Sequence, residues 1–101
     1  MPLRYRPPLS PLPRVSMGAP VPNPFQDVVR FPVRPNGSGA REASVYDVRG
    51  RKLRDLPMPV AGGTIEWDGR DAAGWAVPAG VYFIRLRSGD VVETWRMTLV
   101  R

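Results

Sequence analysis

The sequence contains no cysteine and no histidine, and its only lysine is Lys52. Without thiols and imidazoles it lacks the usual ligands of transition metals and every relay of the Ser-His or Cys-His kind. A catalytic function would have to rest on carboxylates, and nothing in their spacing places two of them across a cleft. We therefore predict that the protein is not an enzyme and needs no cofactor or metal. The acids considered are Glu66, Asp68, Asp71 and Glu93.

Long hydrophobic runs are also missing. No stretch is apolar enough to span a membrane. The basic start of the chain, Met1 to Pro8, is not followed by the apolar run that a signal peptide requires. We therefore predict neither a membrane span nor a signal peptide.

Length and composition indicate one small globular domain. The chain has 101 residues, of which 43% are hydrophobic, which is enough for one packed core. The net charge is +6, and all the basic residues except Lys52 are arginines. This balance reflects either background composition or a phosphate-binding surface. Nucleic-acid binding is not predicted, because no basic face carries interleaved stacking aromatics.

The first part of the chain is rich in proline. Eight of the 13 prolines lie within residues 1–24, together with three arginines and no acid. Proline restricts φ, removes a hydrogen-bond donor and biases the preceding residue toward extended conformations. We predict an extended arm or linker over residues 1–24 and a folded domain over residues 25–101. The arm serves either as a spacer or as a ligand for a proline-binding groove.

From Phe25 onward the sequence consists of short alternating runs separated by turn residues. No segment keeps a helical period, so the pattern favours an antiparallel sandwich or barrel. Pro32 lies inside the first run and predicts an edge strand or a strand with a break. Turns are predicted over Asn36–Gly39 and Ser88–Asp90. The predicted strands are Asp27 to Arg34, Glu42 to Val48, Lys52 to Leu56, Gly63 to Trp67, Val81 to Arg87 and Val91 to Val100.

The segment Asp68-Gly69-Arg70-Asp71-Ala72-Ala73-Gly74 has two possible interpretations. Calcium requires several oxygen ligands, often closed by a bidentate acid, and this run offers two carboxylates without a closing glutamate. Aspartates in turns commonly accept hydrogen bonds from nearby backbone N–H groups. We favour this local turn over a calcium site.

Four blocks of the sequence occur together in an order found in a known family. They are Pro22-Asn23-Pro24-Phe25; Val45-Tyr46-Asp47-Val48-Arg49-Gly50-Arg51; Trp67 to Gly74 followed by Val77-Pro78-Ala79-Gly80-Val81-Tyr82-Phe83; and Arg96-Met97-Thr98-Leu99-Val100-Arg101. Over about residues 22–101 the chain resembles the type A C-terminal sorting domains of type IX secretion cargo. It also resembles the Ig-like domain of the flagellar hook-capping protein. The final block, basic-x-x-Leu-x-basic, favours the sorting domain.

The resemblance implies a fold and a function. It implies an all-β, Ig-like antiparallel β-sandwich of about six to seven strands after the proline-rich arm. It further implies a C-terminal sorting and anchoring module of a secreted or cell-surface bacterial protein. The implied partners are an outer-membrane secretion shuttle and a sortase-like peptidase, which removes the module and can attach the cargo to surface lipopolysaccharide.

Two consequences for localisation follow from this resemblance. As part of a larger precursor, the chain is expected to reach the cell surface or the medium through the periplasm. If Met1 is the native start, its location stays open. The alternative function is then a small structural or scaffold subunit whose proline-rich arm and sandwich bind a larger protein assembly.

The candidate partner-binding residues come from the last hairpin and one turn. Arg85 and Arg87 form a basic stripe if they share a sheet face with Arg96, and such a stripe is either a solvated outer face or a docking surface for an acidic partner. Trp75 follows a turn and is a candidate exposed contact, whereas Trp67 and Tyr82 are assigned to the core. The predicted partner-binding residues are Arg85, Arg87, Arg96, Leu99, Arg101 and Trp75.

Overall fold

The structure, a computed structural model, describes residues 17–34, 41–59, 62–88 and 91–101, with the backbone only for Arg41 and Val91. Within these ranges the chain forms strands and no helix, so none of the described segments is a helix that could cross a membrane. The predicted turn at Asn36–Gly39 and the tip of the turn at Gly89-Asp90 lie outside the described residues. The strands are β1 (Val29–Val33), β2 (Arg41–Asp47), β3 (Lys52–Leu56), β4 (Gly63–Trp67), β5 (Gly80–Ser88) and β6 (Val91–Leu99).

The strands form two antiparallel sheets that pack as a sandwich. One sheet pairs β1 with β4, and the other has the order β3-β2-β5-β6. The chain crosses between the sheets after β3, where Pro57-Met58-Pro59 ends the pairing. The predicted all-β, Ig-like sandwich is confirmed.

Inward-facing strand residues build the core between the sheets. Successive side chains of a strand point to opposite faces, and burial follows this alternation in β1, in β5 and at the end of β6. In β1 the burial alternates from Val29 through Phe31 to Val33, as predicted. The core consists of Met17, Phe25, Val29, Phe31, Val33, Ala43, Val45, Leu56, Ile65, Trp67, Val77, Tyr82, Ile84, Leu86, Met97 and Leu99.

Trp67 is the largest side chain that the fold buries completely. Its ring packs edge-on against Tyr82, with 5.3 Å between ring centroids, and at a tilt against Phe25, at 5.7 Å. The indole Nε1–H donates to the carbonyl oxygen of Arg70 at 2.9 Å, so burial leaves no unpaired donor. The predicted core positions of Trp67 and Tyr82 are confirmed.

Residues 17–25, which we call the edge segment, join the two sheets. Val21 exchanges two backbone hydrogen bonds with Arg30 of β1, and Met17 forms a bridge with Val33. The segment then crosses to the other sheet, where Phe25 pairs in parallel with Leu99 of β6. The part of the predicted arm that the structure describes, residues 17–24, is thus bound to its own sandwich. Residues 1–16 lie outside the described residues, and the predicted domain boundary stays a prediction.

Pro32 is accommodated because its backbone nitrogen and carbonyl oxygen lie on the edge of β1 that meets the edge segment. The Pro32 carbonyl accepts a hydrogen bond from the Gly18 N–H at 2.7 Å. The N–H that proline lacks would point the same way, so the pairing with β4 is not interrupted. A Cβ on Gly18 would lie 2.5 Å from Pro32 Cγ, and this close approach therefore requires glycine at position 18.

The Asn23 side chain pairs with the outer edge of β6 as a strand backbone would. Its Nδ2 donates to the Arg96 carbonyl at 3.3 Å, and its Oδ1 accepts from the Thr98 N–H at 2.9 Å. The backbone of Phe25 continues this pairing by donating to Thr98 and accepting from Val100. An exposed strand edge can recruit another chain, and this arrangement covers that part of it.

Replacing Asn23 with alanine is expected to destabilise the fold by about 1–2 kcal/mol, because two hydrogen bonds of about 0.5–1.5 kcal/mol each are lost and water replaces them only in part. Urea unfolding followed by circular dichroism measures the effect. Gln26→Ala, an exposed position of the neighbouring turn, is the matched control and should stay within about 0.5 kcal/mol of wild type. Equal midpoints for the two variants would show that the Asn23 bonds do not hold the edge segment.

Candidate functional site

The register of the last hairpin puts three arginines on one sheet face. Phe83 lies opposite Arg96, Arg85 opposite Thr94 and Arg87 opposite Val92. Opposed residues share a face, and so do alternate residues of one strand. Arg85, Arg87 and Arg96 therefore project together from the outer face of the four-stranded sheet, and all three are exposed. We call these three residues the arginine row.

The arginine row has no ion-pair partner in the described part of the chain. The ion pairs found there involve Arg30, Arg51, Lys52 and Arg54 instead. Glu42 lies opposite Arg87 in the register, yet the two form no ion pair. Within the described ranges, no ion pair thus neutralises the charge of the arginine row.

A shallow depression of about 180 Å³ lies beside Arg85 and Arg87, with Tyr46 and Lys52 among its walls. The Arg85 Cζ lies 5.5 Å from the centroid of the Tyr46 ring, a cation–π contact that orients the guanidinium.

Asp55, which pairs with Lys52 on this face, is also held by Ser44. Asp55 Oδ1 accepts from the Ser44 hydroxyl at 2.6 Å and lies 3.1 Å from Lys52 Nζ. The Ser44 hydrogen bond, followed by that of Lys52, lowers the pKa of Asp55. The same pairing with Asp55 raises the pKa of Lys52, so both groups stay charged near neutral pH. Asp55 is therefore committed to local partners and does not neutralise the arginine row.

Within the connection between β4 and β5, residues 68–77 form a tightly hydrogen-bonded loop. The Asp71 Oδ1 accepts from the N–H groups of Ala73 and Trp75, both at 3.0 Å. The Asp68 Oδ1 accepts from the Arg70 N–H at 3.1 Å and from Arg54 Nη1 at 2.9 Å. The predicted turn, in which these aspartates bond nearby backbone groups, is confirmed.

The base of this loop is held by the last residue of the sequence. Arg101 Nη2 donates to the carbonyl oxygens of Val77 at 2.7 Å and Gly69 at 3.3 Å. The Val77 N–H also donates to the Gly69 carbonyl, at 2.9 Å. Gly69 adopts a φ of 76°, which favours glycine. Close by, the Tyr82 hydroxyl donates to the Pro78 carbonyl at 2.6 Å, and burial raises the pKa of Tyr82.

The structure divides the predicted partner-binding residues into two exposed groups and one core residue. The arginine row lies on the outer sheet face. Trp75 lies in the loop, where it is 73% exposed, and Arg101 binds the base of that loop. Leu99 faces inward on β6 and is 1% exposed, so its side chain packs in the core. The binding roles of the exposed residues stay predictions.

Residues beyond the predicted set also shape these surfaces. Asn23 covers the edge of β6, and Tyr46 orients Arg85. In the sequence, Asn23 could have been singled out because it lies in the Pro22-Asn23-Pro24-Phe25 block. Nothing local marks Tyr46 as a partner of Arg85, because the two residues meet only through the pairing of β2 with β5.

Comparison with known proteins gives structural neighbours only. No protein-family model matches the sequence, and no curated protein matches it. The fold is similar to part of PorZ of Porphyromonas gingivalis, described as an essential bacterial surface component of the type-IX secretion system. That similarity has a TM-score of 0.61 and 22% identity, and covers 86% of this chain and 11% of PorZ.

A second neighbour is dimeric latent PorU of Porphyromonas gingivalis. The TM-score is 0.63 at 20% identity, with 96% of this chain and 10% of PorU covered. The chain thus spans about a tenth of the length of either neighbour. These likenesses show a shared fold.

Proposed function

We propose that the chain is a non-enzymatic sorting and anchoring module of a secreted or cell-surface bacterial protein, recognised by type IX secretion machinery. The observation that carries this proposal is the structural likeness to part of PorZ, a surface component of that system. The four sequence blocks, which resemble type A sorting domains in the same order, support it independently.

The proposed mechanism is binding by a rigid domain. The sandwich displays the arginine row on a flat sheet face, and Arg85 is already oriented by Tyr46. Arginine guanidinium groups match carboxylates in a planar, bidentate geometry. Charges of this kind steer a partner and set its orientation more than they raise affinity. The partner in this proposal is therefore a protein of the secretion machinery with an acidic docking surface.

The state of the carboxylates supports a function without catalysis. A general acid or base needs a pKa near the working pH. A hydrogen bond from the backbone N–H of Arg51 is the main cause that lowers the pKa of Asp47. Hydrogen bonds from Ser44 and Lys52 lower the pKa of Asp55. Asp68 and Asp71 are occupied by the turn they stabilise. These acids serve local structure.

A reporter fusion tests the proposal. A monomeric fluorescent protein that is exported to the periplasm is joined to the N-terminal side of residues 1–101 and produced in a bacterium with type IX secretion. We expect most of the reporter at the cell surface or in the medium. In an otherwise identical strain without the type IX translocon it should stay in the periplasm. Periplasmic retention of the folded fusion in both strains would overturn the proposed function.

Substitutions are preferable to truncation in this assay. Removing residues 96–101 deletes Met97 and Leu99, which are 0% and 1% exposed in the core. Their loss would unfold the module and abolish delivery whatever its mechanism. Single substitutions on the exposed faces leave the core intact and therefore report on recognition.

A further inference from the structure

Trp75 is the most exposed large apolar side chain among the described residues, at 73%. The residues next to it in the loop are small and exposed: Ala72, Ala73, Gly74 and Ala76. The indole therefore stands above its surroundings as a convex apolar feature. A side chain of this shape fits a pocket in another molecule better than a flat surface.

The loop fixes the backbone of Trp75 from both sides. Its N–H donates to Asp71 Oδ1 at 3.0 Å, and its carbonyl accepts from the Asp71 N–H at 2.9 Å. Arg70 Nη1 adds a bond to the Gly74 carbonyl at 2.9 Å. These bonds order the tip of the loop before any partner binds, which lowers the entropy cost of binding.

Arg101 orders the base of the loop in a similar way. Its guanidinium bonds to the carbonyls of Gly69 and Val77, on the two sides of the base. Opposite the tip, the Arg70 carbonyl accepts from the buried Trp67 indole. Arg101 and the buried Trp67 thus hold the loop from which the exposed Trp75 side chain projects.

We propose that Trp75 inserts into an apolar pocket of a protein partner and that Arg101 is a positioning residue that holds its loop in the binding conformation. This inference rests on the proposed function and gives that interaction a second surface beside the arginine row. Tryptophan is enriched among the residues that dominate binding energy when they fill desolvated pockets. The indole Nε1–H of Trp75 is best matched by a hydrogen-bond acceptor at the rim of that pocket.

The Trp75 part is tested with the same reporter fusion, carrying full-length variants of the chain. Trp75→Ala is expected to lower the delivered fraction at least about tenfold, and Trp75→Phe less, because a ring remains to fill the pocket. The urea midpoint of both variants should match wild type. Val48→Ala is the matched control, since Val48 is 66% exposed in another turn, and its delivery should not change.

The Arg101 part needs a readout that separates positioning from direct contact. Arg101→Ala is expected to lower delivery roughly threefold to tenfold and to speed amide hydrogen exchange at Val77. Arg101→Lys should keep part of the delivery and part of the protection from exchange, because an ammonium can still donate to the carbonyls of Gly69 and Val77. In the Trp75→Ala background, Arg101→Ala should cause no further loss of delivery. Independent, multiplicative losses would overturn the positioning role.

The outcomes separate this inference from the proposed function. If the wild-type fusion is not delivered, the proposed function fails and the inference with it. If wild type is delivered and Trp75→Ala is delivered equally well, only the inference fails. A photoreactive phenylalanine derivative at position 75 should crosslink to a different protein of the secreting cell in the wild-type strain. A crosslink to a second copy of this chain would overturn the proposed class of partner.

Discussion

Trp67→Ala is expected to lower the free energy of unfolding by about 3–5 kcal/mol, the usual cost of truncating a large buried aromatic to alanine. The indole is 0% exposed and packs against Phe25 and Tyr82, so its removal leaves a cavity between the sheets. It also removes the donor to the Arg70 carbonyl. The free energy of unfolding of a small domain is only about 5–15 kcal/mol in total, so a large share of its stability would be lost.

Trp75→Ala provides the matched control, because the same chemical change is made at an exposed position eight residues further on. It should change the unfolding free energy by no more than about 0.5 kcal/mol. With a typical urea slope of about 1–3 kcal/mol per molar, the Trp67→Ala midpoint falls by about 2 M relative to this control. Equal midpoints would contradict the central position of Trp67 in the core.

Reversing the charge of the arginine row is expected to lower delivery of the reporter fusion more than about tenfold, because like charges facing each other across an interface cost several kcal/mol. The variant is Arg85→Glu, Arg87→Glu and Arg96→Glu together. The three side chains are exposed and have no ion-pair partner in the described residues, so the fold should be retained. The cation–π contact of Arg85 is lost, at a cost of about 0.5–1 kcal/mol.

Two controls separate charge from geometry in this prediction. Lysine at all three positions keeps the charge and removes the planar guanidinium groups, so intermediate delivery would show that both contribute. The single changes Arg96→Glu and Arg49→Glu alter the net charge equally, but Arg49 lies in the turn between β2 and β3. Only Arg96→Glu should reduce delivery. Normal delivery of the triple variant would remove the arginine row from the proposed mechanism.

The strands and their inner faces could be predicted because the information is local. Alternation through Tyr82, Ile84 and Leu86 sets which side of β5 is buried, whatever lies opposite it. The turn at Asp71 is equally local, since its bonds reach only to Ala73 and Trp75. Such features follow from periodicity and from the chemistry of neighbouring residues.

The course of residues 17–25 could not be predicted in the same way. A proline-rich stretch predicts an extended arm, and its sequence does not show that Phe25 fills a gap between two sheets. The bonds of Asn23 reach β6 across more than 70 residues of sequence. They exist only once the last strand has paired with β5.

The sequence by itself determined an all-β chain, its strands and their apolar faces, because each depends on residues within a few positions of one another. The tertiary structure alone decided that Leu99 is core and that the three arginines form one row, which has no ion-pair partner among the residues the structure describes. It also decided that Arg101 holds the loop of Trp75. These outcomes depend on strand register and on contacts between segments distant in sequence, neither of which can be read from neighbouring residues.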